Sequence, residues 1–228
     1  MTPLTPSRET LPGLSSATEQ CPLVLGECVQ GRLAGGPHFL ITVPIDRNSR
    51  STFTPEPESD RVEPRPADCS KGRRAVELYL EEEGLPKGGL LEVEQPLPTG
   101  LGFGTSTADI VASLRAAAAA WSRTISPERI SRIATTLEPT DGSMYSGCVA
   151  YAHRRGKLLE RFGPIPPFKA LALVNGHAVE TVNFDLTRRH FRYSQSDQQR
   201  LREAWEMVRA AIRRGRIGPM ARAGTISA

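Results

Sequence analysis

The 228-residue sequence has no run of about 18 apolar residues, so it predicts no membrane-spanning helix. Its four cysteines form no CxxC pair and have no histidine at ligand spacing, which favours free buried thiols over a metal site. Residues 1–19 are rich in Pro, Ser and Thr and lack a hydrophobic signal core. They predict a disordered leader and a cytoplasmic protein.

Aromatic residues make up only 6% of the chain, although the net charge is +4 and comes mostly from arginine. Nucleic-acid binding would place arginines among aromatic side chains that stack on bases. The single aromatic residue of the arginine-rich stretch 200–216, Trp205, falls on the predicted buried side of the helix, so we interpret the arginines as a solvated face. The composition, 39% hydrophobic, suffices for a buried core. The sequence therefore predicts neither a nucleic-acid partner nor a membrane partner.

A glycine-rich loop leads directly into an alanine-rich helical pattern. Glycine permits close backbone approach, and a helix N-terminus offers unpaired N–H groups and a positive dipole end. The pattern is typical of a phosphate cradle. An N-capped helix after a flexible turn is the alternative. The candidate phosphate ligands are Gly100, Leu101, Gly102, Phe103, Gly104, Thr105, Ser106 and Thr107.

Two familiar nucleotide motifs do not fit this loop. No lysine follows Gly104, so the lysine of a P-loop is missing. The dinucleotide fingerprint is excluded because Pro96 and Pro98 interrupt the preceding strand and no acidic residue lies about 20 positions beyond. A third kind of nucleotide loop remains.

Apolar periodicity predicts a mixture of strands and helices. The predicted strands are 21–31, 38–46, 50–54, 90–97 and 168–174, with a hairpin of 148–153 and 157–162 and a surface loop at 55–70. The predicted helices are 71–83, one that begins after the glycine loop, one capped by Ser126, and 197–214. The five alanines 116–120 indicate a buried central helix.

Two polar clusters are candidates for chemistry. Glu27 and Gln30 end an apolar strand, which fits either the edge of a polar site or a strand end at solvent. Asp141 lies on a turn after a helix and could accept a hydroxyl proton or hold magnesium. An Asx-turn that only ends the helix is the alternative. Asn183–Asp185 could face a substrate, although a local backbone hydrogen bond is the simpler interpretation.

Three segments in the same order resemble the GHMP kinases, and most closely their L-threonine kinase branch of cobalamin biosynthesis. The segments are Cys21–Gly31, Thr105–Asp109 and Glu138–Ser143. The resemblance implies an α+β fold with a left-handed β-α-β unit, like the second domain of ribosomal protein S5. It also implies ATP and Mg²⁺ as cofactors, and transfer of the γ-phosphate to an amino-acid hydroxyl, with L-threonine as the first candidate.

The resemblance also implies roles for particular residues. Asp141 and Ser106 would be catalytic, and Ser106 with Glu138 would hold the metal. Glu27, Gln30 and Thr140 would line the substrate side. The implied organisation is a leader (1–19), an ATP-binding domain (20–175) and the start of a C-terminal domain (176–228).

The sequence departs from the resembling kinases at several positions. Leu23, Val24 and Leu25 replace Gly-Ser-Cys, Leu101 stands where a lysine is frequent, and Gly142 replaces a serine. Family members continue for several dozen residues beyond a segment like 221–228, and a homodimer or a partner chain would supply that part. A catalytically impaired relative that binds a ligand or a protein is therefore the alternative function.

Overall fold

The computed structural model describes residues 15–173 and 193–227. The strands are β1 (Ala17–Arg32), β2 (His38–Pro55), β3 (Val62–Arg65), β4 (Gly89–Glu94), β5 (Cys148–Ala152) and β6 (Lys157–Gly163). The helices are α1 (Ser70–Glu83), α2 (Thr105–Ala120), α3 (Pro127–Leu137), α4 (Gln195–Arg214) and α5 (Gly218–Ser227). The predicted α+β class is confirmed.

The two longest strands of the sheet, β1 and β2, pair antiparallel with each other. The predicted strands 38–46 and 50–54 are one continuous strand, β2. Both of its halves pair with β1, its C-terminal half also pairs with β4, and its N-terminal half also pairs with β5. The predicted leader is too long at its C-terminal end, since β1 already begins at Ala17, which pairs with Phe53.

The segment β3-α1-β4 forms a parallel crossover. The predicted surface loop 55–70 was wrong in part, because β3 lies within it and pairs in parallel with β4. Helix α1 ends as predicted at Gly84, whose φ of 64° is left-handed. The sheet order is β3-β4-β2-β5-β6, and β1 pairs with β2.

Helix α2 is buried over almost its whole surface and packs against β1, β2 and α1. Its small side chains allow this close contact on several sides, which confirms the predicted buried central helix. Helix α3 follows, and the Ser126 side chain caps it by accepting a hydrogen bond from the Arg129 N–H at 3.2 Å.

The predicted hairpin is present as β5 and β6. The predicted buried strand 168–174 was wrong over its described part, because residues 168–173 form no strand and the side chains of Leu171 and Leu173 are 88% and 91% exposed. Asn183–Asp185 lies outside the described residues.

Helices α4 and α5 pack on the sheet and complete a second hydrophobic cluster. Leu201 and Val208 of α4 and Met220 of α5 join Phe39 and Ile41 of β2 in this cluster. The predicted helix 197–214 is confirmed and begins two residues earlier, at a capping box of Ser194 and Asp197. In residues 15–173 and 193–227, no helix is both long and apolar enough to cross a membrane.

Candidate active site

The glycine loop brings the N-terminus of α2 to the surface with its first turn uncapped. Gly104 is the N-cap residue, its φ is 63°, and it has no side chain with which to accept a bond from the first N–H groups. No acidic residue lies in the first turn of α2. The amides and the positive end of the helix dipole are therefore available to an anion.

The strand β1 contacts the glycine loop through its backbone. The Val24 N–H donates to the Phe103 carbonyl oxygen at 3.0 Å. Gly26, with a φ of 64°, lies beside the Gly102 carbonyl oxygen. The first two sequence motifs are thus neighbours in space.

Asp141 lies directly against Gly104. A Cβ at position 104 would overlap the Asp141 Oδ2 atom and the Val24 Cγ2 atom, so only glycine fits there. The Asp141 Oδ1 atom accepts hydrogen bonds from the Ser143 N–H, at 2.8 Å, and from the Ser143 hydroxyl. The Asp141 N–H in turn donates to Thr107 Oγ1 at 3.4 Å, which ties the turn to α2.

The carboxyl group of Asp141 is held in an unusual electrostatic environment. Burial raises its pKa from 3.8 to about 6, the two Ser143 hydrogen bonds oppose this rise, and the charges of Glu27 and Glu138 add to it. The group is still mostly ionised at neutral pH and is a stronger base than an ordinary aspartate.

Glu138, Ser106 and Lys71 form a second polar group beside the same helix end. The Ser106 hydroxyl donates to Glu138 Oε1, while Lys71 Nζ lies 2.5 Å from Glu138 Oε2 and 3.3 Å from Ser106 Oγ. The Glu138 side chain is only 2% exposed, whereas that of Lys71 is 49% exposed. The buried carboxylate is thus compensated by a partly exposed cation.

The pair Ser106 and Glu138 suits a magnesium ion that is shared with phosphates. Mg²⁺ in phosphoryl-transfer sites usually takes one or two protein oxygens and fills its other positions with phosphate and water. A carboxylate and a hydroxyl that already touch supply such oxygens. Within the described ranges no cluster of three or more His, Cys, Asp or Glu side chains could hold a metal by itself.

The three predicted substrate residues are placed differently. Glu27 is exposed, and its charge raises the pKa of Asp141. The pKa of Glu27 is itself raised, because the protein around its carboxyl group removes part of the hydration. Gln30 lies next to α5, where its backbone N–H donates to the Ser227 hydroxyl at 3.0 Å. Thr140 is 1% exposed and its hydroxyl lies 3.3 Å from the Tyr151 hydroxyl, so it faces the interior.

Sequence reasoning missed Lys71. It lies 35 residues before Ser106 and 67 before Glu138, and only the packing of α1 against α2 brings these side chains together. No local spacing signals this contact. The three motifs, by contrast, were found from the sequence, and the structure brings all of them to the N-terminus of α2.

Residues 71–152 match the sequence model of the GHMP kinases N terminal domain. The chain is 24% identical to the L-threonine kinase of Salmonella typhimurium over 201 residues, and this alignment covers 88% of this chain and 66% of that protein. It is 25% identical over 212 residues to the L-threonine kinase of Citrobacter freundii, covering 93% and 72%. The chain therefore spans about two thirds of the length of these relatives.

Solved structures of similar fold cover most of the chain at low sequence identity. A homoserine kinase from Cytophaga hutchinsonii superposes with a TM-score of 0.63 at 14% identity, covering 92% of this chain and 71% of that one. A mevalonate diphosphate decarboxylase from Legionella pneumophila gives 0.65 at 11% identity, covering 93% and 76%. At such identities the likeness shows the fold alone.

Proposed function

Because residues 71–152 match the GHMP kinases N terminal domain, we propose that the chain is an ATP-dependent small-molecule kinase. The acceptor is the hydroxyl of an amino acid, and L-threonine is the first candidate, with O-phospho-L-threonine as its product. The observation that carries this proposal is the meeting of Ser106, Glu138 and Asp141 at the uncapped N-terminus of α2. The predicted cytoplasmic location is part of the same proposal.

The nucleotide phosphates would lie on the glycine loop from Gly100 to Thr107. The backbone N–H groups at the start of α2 supply hydrogen bonds to anionic oxygens, and the helix dipole favours the negative charge. Gly104 has a left-handed backbone and no side chain, so no side chain at the N-cap position occupies these groups. Phosphoryl transfer depends mostly on such positioning and charge stabilisation.

Ser106 and Glu138 would hold the magnesium ion. When bound, the ion neutralises charge on the phosphates and helps to orient them. Glu138 suits this role because it is buried and fixed by the Ser106 hydroxyl, so its carboxylate is held in place before a nucleotide binds.

Asp141 would act as the base toward the acceptor. Its carboxylate takes the hydroxyl proton while the hydroxyl oxygen bonds to the γ-phosphorus, and the bond from that phosphorus to the β–γ bridging oxygen breaks to release ADP. Its pKa of about 6 favours this step near neutral pH. The hydrogen bonds from Ser143 hold one carboxylate oxygen, and the other faces Gly104.

Glu27 supports an amino acid as the acceptor. It is an exposed carboxylate near Asp141, and an ammonium group is the natural partner for it. The similarity to two L-threonine kinases supports the same substrate class. Neither observation chooses L-threonine over a close analogue, so the acceptor is part of the test.

The test measures ADP release from Mg-ATP by the 228-residue protein, with L-threonine, L-serine or L-homoserine as acceptor. We expect acceptor-dependent turnover that Asp141→Asn lowers by roughly 100-fold or more, since a positioned base contributes about that factor. ATP binding should change little. Asp46→Asn is the matched control, because the Asp46 side chain is 94% exposed.

Two results would contradict the proposal. Turnover that persists in Asp141→Asn would remove Asp141 from the chemistry. ATP binding without turnover on any of the three acceptors would show that this chain does not phosphorylate an amino-acid hydroxyl under these conditions, and it would favour the impaired relative.

A further inference from the structure

We propose that Lys71 is a phosphate-binding residue that contacts the outer phosphates of the nucleotide. This inference rests on the proposed function, because it assigns a new residue to the same site. Lys71 belongs to α1, outside the glycine loop and outside the turn that carries Asp141.

The site needs a positive charge that its glycine loop does not supply. Residues 98–109 contain no lysine or arginine. Three carboxylates surround the same point, since the charges of Glu27 and Glu138 both act on Asp141. A nucleoside triphosphate would bring further negative charge, which a helix dipole equivalent to about half a unit charge offsets only in part.

Lys71 is in the right place to supply that charge. Its Nζ atom lies 3.3 Å from the Ser106 hydroxyl, in the first turn of the helix that would bind the phosphates. Its side chain is 49% exposed, so the ammonium group is open to a ligand. A lysine side chain acts as a flexible point charge, which suits phosphate oxygens.

The packing of α1 on α2 fixes the position of the Lys71 backbone. Gly72, the next residue, is buried, and a Cβ there would lie 2.9 Å from Cys69 Sγ and 3.1 Å from Ser113 Oγ of α2. The absence of a side chain lets the first turn of α1 approach α2 closely. Lys71 therefore extends along the surface toward Ser106 rather than away from it.

Lys71 also has a role before the nucleotide arrives. Its ammonium group lies 2.5 Å from Glu138 Oε2. Only 2% of the Glu138 side chain is exposed, so without Lys71 the charge of this buried carboxylate would be uncompensated. A divalent ion that arrives with the phosphates would take over this compensation. The ammonium group is then free to move from Glu138 to the phosphate chain.

The experiment compares the binding of adenosine, AMP, ADP and ATP to wild-type protein and to Lys71→Met by calorimetry, with Mg²⁺ and with EDTA. We expect Lys71→Met to weaken ATP and ADP binding by about tenfold or more, the usual effect of losing one charged hydrogen bond. Adenosine binding should stay within about twofold, because adenosine has no phosphate to contact.

Two further variants separate a phosphate contact from a structural role. Lys71→Arg keeps the positive charge and the compensation of Glu138, and should recover most of the ATP affinity. Lys87→Met removes one exposed lysine from the connection between α1 and β4, and should bind all four ligands like wild type. Thermal unfolding of each variant checks that the fold is retained.

The outcomes distinguish this inference from the proposed function. If Lys71→Met weakens adenosine and ATP equally, or weakens neither, the phosphate contact is refuted while nucleotide binding stands. If Lys71→Met does not fold, the comparison is made in Glu138→Gln, which has no buried charge for Lys71 to compensate. A further loss of ATP affinity, but not of adenosine affinity, on adding Lys71→Met then supports the contact, and no further loss overturns it. If wild-type protein binds no nucleotide, the proposed function fails, and this inference fails with it.

Discussion

The substitution Asp109→Asn should change how the stability of the protein depends on pH. Asp109 lies in α2 with 5% of its surface exposed, and its Oδ1 atom accepts a hydrogen bond from Ser49 Oγ at 2.5 Å. Its Oδ2 atom accepts a hydrogen bond from Gln95 Nε2. Burial raises the pKa of Asp109 from 3.8 to about 6, and these two hydrogen bonds oppose the rise.

The sign and size of the effect follow from this shift. Between pH 3.8 and about 6 the folded protein holds a proton on Asp109 that the unfolded chain has released, so this group lowers the free energy of unfolding as the pH rises. A shift of about 2 units corresponds to about 3 kcal/mol when both states are ionised. About 2 kcal/mol of this should develop between about pH 4 and about pH 7.5.

Asparagine does not titrate, so Asp109→Asn removes this dependence. Its amide oxygen can still accept from Ser49, and Gln95 can rotate its amide to present an oxygen to the new NH₂ group. Urea unfolding of both proteins across this pH range gives the test. We expect the stability of the variant relative to wild type to rise by about 2 kcal/mol from acid to neutral pH. Parallel stability curves would refute the reasoning.

Two other substitutions test local features of the fold by urea unfolding. Ser126→Ala removes the cap that accepts the Arg129 N–H, and should destabilise the protein by about 1 kcal/mol, whereas Ser126→Asp should cost little; equal losses in both variants would argue against capping. Trp205→Phe keeps an aromatic ring but loses the hydrogen bond from Nε1 to Glu160 Oε2 at 2.7 Å, and should cost about 1.5 kcal/mol. Unchanged stability would show that this bond contributes nothing net.

The elements next to the site could be predicted because their signals are local. Gly84 ends α1, Ser126 caps α3, and the five alanines 116–120 lie in the buried helix. Each of these features depends on residues a few positions apart, which a sequence shows directly. The three motifs were visible for the same reason.

The errors arose where a distant partner decides the structure. The sequence predicted two strands, 38–46 and 50–54, where the structure has one. Ser49 and Ser51 are buried within β2, and their hydroxyls bond to Asp109 and Ser113 of α2. The apolar run 168–174 suggested a buried strand, but an apolar run alone provides no partner strand. Lys71 was missed because its neighbours come from other helices and turns.

The contact between β1 and the glycine loop explains how the first motif can depart from the resembling kinases. The bond from Val24 to Phe103 joins main-chain atoms only, so it does not require the Gly-Ser-Cys found in those kinases. A change of side chains at residues 23–25 therefore leaves this main-chain hydrogen bond possible. The contact between β1 and the glycine loop can therefore form with different residues in the first motif.

The pairing of β1 with β2 also makes the two hydrophobic clusters depend on each other. Leu23 and Phe53 belong to the cluster around α2, while Val29 and Phe39, farther along the same two strands, belong to the cluster under α4 and α5. Unfolding of either cluster would separate β1 from β2 and so remove strand pairing on which the other cluster depends. The two clusters therefore share one pair of strands, and we expect a loss of packing under the C-terminal helices to loosen the strand that contacts the glycine loop.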